Sequence, residues 1–418
     1  MKDSRQNIWG YFKLRDVCET TSGGTPSRSV PEYYLGKIPW VKSGELDKGL
    51  ILDTEEKITK EAIQNSSAKI FPKGTLLIAL YGATIGKLAF LGVDAATNQA
   101  ICGIYQNEKI NSKFLYYFLF FKRPSLVKQG IGGAQPNISQ TILKNLELPL
   151  PAIETQQAIV SKIEELFSEL DKGIENLKVT QQQLKVYRQS VLKWAFEGRL
   201  TNEDVKEGEL PKGWKWVQSG TLFDFVTSGS RGWAKYYADS GSIFVRITNL
   251  DFDSLELDLE DNKIQYVKPP KNSEGTRTKI QEGDFLISIT GYLGMFAIAP
   301  QLPSAYINQH ISLCRPTKDI HRRYFGYWII SKSGGHKYLN KMTKGATKAG
   351  LGLDDIKNFP VPIAPIDEQE FIVQTIENRL SVADKMEESI NQSLQQSEAM
   401  RQSILKRAFE GKLILKQS

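Results

Sequence analysis

The sequence is poor in the residues that build metal centres, disulfides and membrane spans. Its 418 residues include three cysteines, Cys18, Cys102 and Cys314, far apart in the chain. That spacing fits neither a disulfide framework nor a zinc site, and it suits the reducing interior of a cell. Three histidines, His310, His321 and His336, form no cluster, so a catalytic zinc is not expected. No apolar run approaches the ~18 residues of a membrane span. The opening MKDSRQNIWGYF lacks the apolar stretch of a signal peptide. A cytoplasmic protein without membrane contact is expected.

Catalytic signatures are also scarce. GATIGK (82–87) resembles a phosphate loop but has three residues between its glycines instead of four. Leu88 follows the lysine where a magnesium-binding Ser or Thr belongs, so a glycine-bounded turn is the better reading. DTEEK (53–57) carries a Glu-x-Lys pattern common to any charged turn, and KPPK (268–271) is not a methyltransferase motif. No glycine-rich dinucleotide loop is visible. The sequence reads as a chain without chemistry of its own: no catalytic residues, no metal and no directly bound cofactor are expected.

What the chain does have is a repeat. AFEGRL (195–200) returns as AFEGKL (408–413), 213 residues later. At that shift PLPAIETQQAIVSKIEELF (149–167) lies over PIAPIDEQEFIVQTIENRL (362–380), and RQSVLKWAFEGRL (188–200) over RQSILKRAFEGKL (401–413). Shared helix-forming composition explains recurring Glu, Lys and Leu, but not a recurring Ala-Phe-Glu-Gly. Upstream, GTLLIALYGATIG (74–86) resembles GDFLISITGYLG (283–294), and Asn98-Gln99 matches Asn308-Gln309. A divergent globular unit and a similar helix therefore each occur twice.

Apolar residues at Ile159, Ile163, Leu166, Leu170, Ile174, Leu177, Leu184, Tyr187 and Val191 mark a narrow helical seam. The second copy runs Ile376, Leu380, Ala383, Ile390, Leu394, Ile404 and Ala408. Prolines precede each helix, and Gly198 and Gly411 punctuate the ends. A helix of ~44 residues is ~66 Å long and needs a partner face. Each copy is the other's natural partner, so an antiparallel two-helix coiled coil is predicted. The globular segments read as α/β (α+β) units with short strands and aromatic-faced helices at NSKFLYYFLFF (111–121) and HRRYFGYWII (321–330). The expected fold is thus two mixed units separated by two long helices, with an internal pseudo-twofold repeat.

The formal charge of +7 resides in the globular segments: residues 1–151 carry a net +6 and 201–357 a net +3, whereas 152–200 carry 0 and 358–418 carry −2. Residues 318–348 hold Lys318, Arg322, Arg323, Lys332, Lys337, Lys341, Lys344 and Lys348 against Asp319. Such excess is an electrostatic footprint for phosphates. Two diverged units on one rigid spacer suit a bipartite polyanion, with the spacer setting their separation along the duplex.

Taken together, GGTPSR (23–28), IPWVKSGEL (38–46), TNQAI (97–101), GAQPNIS (133–139), LPLPAIETQQAIV (148–160), INQHI (307–311), GATKAGLGLDDIKNFPVP (345–362) and the paired AFEG hexapeptides resemble the specificity subunit of type I restriction–modification systems over essentially the whole chain. The second unit departs from the pattern early, with TSGSRGWAKYYADSG (227–241) where TSGGTPSRSVPEYYLG (21–36) stands in the first. The resemblance implies target recognition domains over 1–151 and 201–363, and conserved spacer helices over 152–200 and 364–418. It implies recognition of a split, asymmetric double-stranded DNA site. Two modification subunits would use S-adenosylmethionine to methylate adenine N6, and two restriction subunits would use ATP and magnesium, none of these cofactors binding the chain itself.

Base readout needs donors and acceptors projecting from loops into a groove. In the first unit the candidates are Ser22, Thr25, Ser27, Arg28, Lys42, Ser43, Tyr81, Lys87, Gln135 and Asn137. In the second they are Ser228, Ser230, Arg231, Arg246, Thr248, Asn249, Tyr292, Lys344, Thr347 and Lys348. Asn98, Gln99, Asn308 and Gln309 occur in both units, so a structural or phosphate role suits them better. Two other functions compete: a structural adaptor whose globular units bind protein, and a self-contained endonuclease or methyltransferase.

Overall fold

The computed structural model describes residues 9–130, 137–202, 204–206, 208–273, 275–342 and 350–414. Two helices dominate the element order, Ile153–Phe196 and Ile366–Phe409, each of 44 residues. Two compact units form: residues 1–177 with 392–418, and residues 178–391. Each unit therefore joins one globular segment to part of both long helices.

The globular segments share one plan. In the first unit a mostly antiparallel sheet has the order Thr20–Ser22, Ile101–Ile104, Leu76–Ala79, Leu88–Leu91, Leu50–Ile51. In the second unit the order is Phe223–Ser228, Ile311–Pro316, Phe285–Ser288, Phe296–Ile298. A second sheet in each unit contains one parallel pair, Trp40 beside Ala96 in the first and Phe244 beside Tyr306 in the second. A two-stranded ribbon closes each plan: Tyr11–Lys13 with Glu147–Pro149, and Lys215–Gln218 with Pro360–Ile363. The strands at the sheet centres are short, mostly apolar runs that are wholly buried, as in Leu76–Ala79 and Phe285–Ser288.

An aromatic helix carries each sheet to the long helices. Phe114 and Phe118, four residues apart on the helix Ser112–Gly130, pack edge-on against Phe409 at 5.2 and 5.3 Å. In the second unit Tyr324 and Trp328, on the helix Arg322–Ile330, pack against Phe196 at 5.1 and 5.2 Å. The repeated Ala-Phe is thus an anchor: Ala195, Phe196, Ala408 and Phe409 are all buried in these aromatic seats.

The glycine that follows is a helix stop. Gly198 and Gly411 sit at φ +75° and +73°, where residues with a side chain are strained. The N–H of Arg199 donates to the Trp194 carbonyl and that of Lys412 to the Arg407 carbonyl, at 2.9 and 2.8 Å. These are the 6→1 bonds of a Schellman cap, which satisfies carbonyls left open at a helix end. Leu200 and Leu413, the last residues of the two hexapeptides, pack on the adjoining cores.

Within each unit the long helices run antiparallel. In the first, Ile159, Ile163 and Phe167 share a core with Leu405, Ala408 and Phe409, and Arg401 pairs with Asp171. In the second, Arg188 reaches Asp384 and Glu387 at 2.6 and 2.9 Å, and Gln181 donates to Asn391 at 3.2 Å. The predicted seam holds, with one departure. Tyr187 is exposed, because two helices alone cover only one face, and Leu184 takes the buried position.

Candidate nucleic-acid interface

The three cysteines are buried, and burial pushes the thiols of Cys102 and Cys314 up to about 11 and about 12. Thiolate chemistry is thereby disfavoured. Among the described residues no group of three metal-ligating side chains occurs, and no helix is long and apolar enough to cross a membrane. The GATIGK segment forms a short 3-10 turn, Gly82–Thr84, and its Lys87 ammonium is paired with Asp47. Polar loops at the sheet ends carry the notable arrangement.

In the first unit these loops form one connected array. The Arg28 guanidinium lies 4.0 Å over the Tyr34 ring and 5.2 Å from that of Trp40, and it donates to Glu56 at 2.7 Å. Lys42 reaches Glu55 and Glu56 at 2.8 and 3.1 Å. Those bonds hold the carboxyls of Glu55 and Glu56 below the usual range, through Lys42 for the former and chiefly Arg28 for the latter. Ser43 opens the turn Ser43–Lys48, whose Asp47 pairs with Lys87. Tyr81 bridges to Asn137 through its backbone. Nearby, Ser22 accepts from Gln140, Thr25 donates to Gln99, and the Ser27 and Ser29 hydroxyls share a bond at 2.7 Å.

The three candidate cations here are therefore neutralised by carboxylates, Asp47 and the two glutamates of the DTEEK segment, which the sequence presents only as an ordinary charged turn. Exposed pairs of this kind contribute little to stability. They hold long side chains in fixed positions and present guanidinium donors beside carboxylate acceptors, the mixture that distinguishes guanine from cytosine in a major groove.

The second unit is built differently. Arg277, absent from the sequence candidates, donates to Thr227 Oγ1 at 3.1 Å, to Ser230 Oγ at 3.3 Å and to the Ser228 carbonyl at 3.2 Å, tying the loop that follows the first strand. Arg231 and Thr248 are exposed. The Arg246 guanidinium donates to the Lys263 carbonyl at 3.1 Å. Two candidates are corrected. Asn249 is 2% exposed and spends its amide on the Arg246 N–H and the Asp258 carbonyl, so it shapes the loop and is closed to a groove. Ser230 is likewise buried beneath Arg277. Gln135, Lys344, Thr347 and Lys348 lie outside the described residues. The basic stretch beginning at Lys318 is partly committed elsewhere: Arg323 pairs with Glu256 and Glu377.

The residues common to both units form turns. Asn98 and Asn308 each donate their N–H to a neighbouring strand, to Val41 and Val245, at 3.0 Å. Each accepts with its side chain from the residue two ahead, Ala100 or His310. Gly23 and Gly229 press against the same turns, and a Cβ there would lie 2.6 and 2.2 Å from the Asn98 and Asn308 carbonyl oxygens. Shared residues build the frame, and the unlike loops hang from it.

A family model described as "Type I restriction modification DNA specificity domain" matches residues 7–179 and 211–396. The chain belongs to the type I restriction–modification DNA specificity family. Among the specificity subunits of that family, one from Methanocaldococcus jannaschii, MjaIX, is 31% identical, covering 85% of this chain and 83% of the relative. The EcoBI specificity subunit of Escherichia coli is 28% identical, covering 98% and 81%. The fold is shared with a chain from a structural study of assembly and conformational transition of the type I system, at a TM-score of 0.73, 20% identity and coverage of 97% and 98%. It is also shared with the HsdS subunit of Thermoanaerobacter tengcongensis, at a TM-score of 0.61, 20% identity and 97% coverage of both chains. A specificity subunit selects DNA sequences, which is the task that unlike loops on a repeated frame suit.

Proposed function

We propose that this specificity subunit reads a bipartite, asymmetric duplex site, one half with each unit, and itself catalyses nothing. The supporting observation is the repeat: two sheets that share the order of four strands and whose sheet-end loops differ in length, sequence and charge pairing. The first array offers Arg28, Lys42, Ser43, Tyr81, Lys87 and Asn137; the second offers Arg231, Thr248 and Tyr292, with Ser22, Thr25, Ser27, Ser228 and Arg246 supporting the loops. The long helices serve as spacer and as docking surface for two modification subunits, and two restriction subunits complete the assembly. Those partners carry S-adenosylmethionine, and ATP with magnesium, and so perform adenine N6 methylation or cleavage. The methylated adenine is turned out of the stack into the modification subunit.

Selection from a random duplex library with the chain and its modification subunit tests this reading. The expected result is one split motif of two unlike halves at fixed spacing, with Arg28→Ala weakening only one half. Enrichment of no motif, or of a single undivided one, sinks the proposal. Failure of the substitution to act on one half alone refutes the assignment of that half to the first unit.

A further inference from the structure

Asn98–Gln99 and Asn308–Gln309 stand at equivalent positions, but only the asparagines have a task in the frame. The two segments form the same β-turn: the N–H of Ile101 and of Ile311 each donate to the asparagine carbonyl at 3.2 Å. The asparagine side chain accepts from the residue two ahead, and the carbonyl of that residue accepts from the N–H of Leu80 or Ile289 at 2.8 and 2.9 Å. Gln99 and Gln309 occupy the second position of this turn, which most residues fit. Their side chains have unlike neighbours. The Thr25 hydroxyl donates to Gln99 Oε1. Gln309 Nε2 lies 2.9 Å from His310 Nε2, and an amide nitrogen only donates, so the imidazole accepts there and aims its Nδ1–H at the Thr290 hydroxyl. Alanine stands at the place of His310 in the first unit, so nothing within the turns asks for glutamine in both.

The turns lie in the middle of the loop arrays. On one side the first is bonded to Val41, next to Lys42, and on the other to Leu80, next to Tyr81; the second is bonded to Val245, next to Arg246, and to Ile289, next to Thr290. Gln99 is exposed and Gln309 half-exposed. Beyond the bonds just named, each carboxamide retains an N–H and a lone pair on Oε1. A phosphate takes donors alone, whereas a donor beside an acceptor is the complement of a base edge. A reader common to two units of unlike specificity must face something common to both half-sites. With a modification subunit serving each half, that is the A·T pair whose adenine is methylated.

From this we infer that Gln99 and Gln309 each hold the thymine left behind when the target adenine turns out of the duplex, the amide N–H donating to thymine O4 and Oε1 accepting from N3–H. The inference rests on the DNA-reading function above. Turning a base out costs a few kcal/mol of lost stacking and pairing. A side chain that restores two hydrogen bonds to the stranded partner offsets part of that cost, and does so equally in two halves that otherwise differ.

The full chain with its modification subunit is measured by fluorescence anisotropy on the selected duplex and on two analogues. In each analogue the thymine opposite the target adenine of one half is replaced by difluorotoluene, which keeps its shape without its donor and acceptor. On the natural duplex Gln99→Ala is expected to weaken binding roughly 10- to 100-fold, the range of one bidentate base contact. On the analogue of its own half the ratio of wild-type to variant affinity should fall close to one, because the contact is then missing from both. Taking the ratio cancels any change in how easily the adenine leaves its partner. On the analogue of the other half the full ratio should remain. Gln309→Ala should show the mirror-image pattern. Gln99→Glu, equal in size but offering acceptors only, should bind as poorly as Gln99→Ala. A ratio that the analogue leaves unchanged overturns the inference, as does full binding by Gln99→Glu, or a selected motif in which one half carries no methylated adenine. A wild-type complex that selects no motif instead overturns the DNA-reading function, so the two failures are distinct. Thermal melting of the alanine variants should match wild type, since the asparagines hold the turns; a variant that melts early and binds both duplexes equally poorly makes the glutamine a structural residue and overturns the inference.

Discussion

Gln156 and Gln369 occupy the first turns of the two long helices and are almost wholly buried. Each amide ties the segment before its own helix to a distant loop without bringing in a charge. Gln156 accepts from the Asn111 N–H at 2.8 Å and donates to the carbonyls of Pro151 and Lys109 at 2.9 and 3.3 Å. Gln369 accepts from the His321 N–H and donates to the Ala364 carbonyl, both at 2.9 Å. Asn111 and His321 in turn cap the aromatic helices, accepting from the N–H of Phe114 and of Tyr324. One glutamine thus fixes the start of a long helix to the start of the helix that seats its partner. Replacing either with leucine strands buried N–H and carbonyl groups, each costing about 1–3 kcal/mol. Urea unfolding should show Gln156→Leu and Gln369→Leu each lowering stability by about 2 kcal/mol or more. A loss below about 0.5 kcal/mol, the lower edge of a net hydrogen bond, would mean that water replaces the amide. Both glutamines are visible in the repeat, as ETQQ over DEQE, but nothing there marks them as buried. Their burial depends on a loop more than 40 residues away, which periodicity does not report. The loop arrays were opaque for the same reason: the partners of Lys42, Arg28 and Lys87 are 13, 28 and 40 residues distant.

At the scale of elements, the long helices were legible because their evidence is local. Heptad-like spacing, a preceding proline and a terminal glycine are all read within a few turns. The two helix stops look equivalent in sequence and differ in their surroundings. A Cβ on Gly198 would lie 2.0 Å from Cγ of Pro211, whereas on Gly411 the nearest atom, on Trp9, is at 3.4 Å. Gly411→Ala therefore meets only the left-handed backbone penalty of about 1–2 kcal/mol. Gly198→Ala meets that penalty and a collision with a rigid ring, and must distort the cap or move the 211 segment. The expected order in chemical denaturation is wild type, then Gly411→Ala, then Gly198→Ala, with the second step clearly resolved. Equal midpoints for the two variants would show that the Pro211 segment yields freely. The aromatic seats were also partly legible, as the helical runs FLYYFL and YFGYWI, but not their occupant. Nothing local says that Phe409, near the chain's far end, belongs with Phe114.

That last point governs the molecule as a whole. The first unit is assembled from both ends of the described chain: Trp9, Phe114 and Phe118 share a hydrophobic cluster with Phe409, Leu413 and Ile414. In the second unit the corresponding joint is covalent. The helix ending at Phe196 runs on through Leu200 and Leu210 to Trp214, all packed on the core that holds Tyr324 and Trp328. The second unit thus shows how the two ends of the first could be connected. A chain joined from Ile414 to Trp9 by a polar linker the length of the 201–213 connection, and opened within that connection, keeps the packed residues of both clusters. Closing so short a loop changes the entropy little, since the cost grows only as the logarithm of its length, and exposed loops tolerate new termini. The permuted chain is expected to show native circular dichroism and two unfolding transitions near those of the parent. With the modification subunit it should select the same split motif. Loss of one transition, with the aromatic cluster around Phe409 unprotected in hydrogen exchange, would mean that the order of the chain, and not only its contacts, is needed to build the first unit.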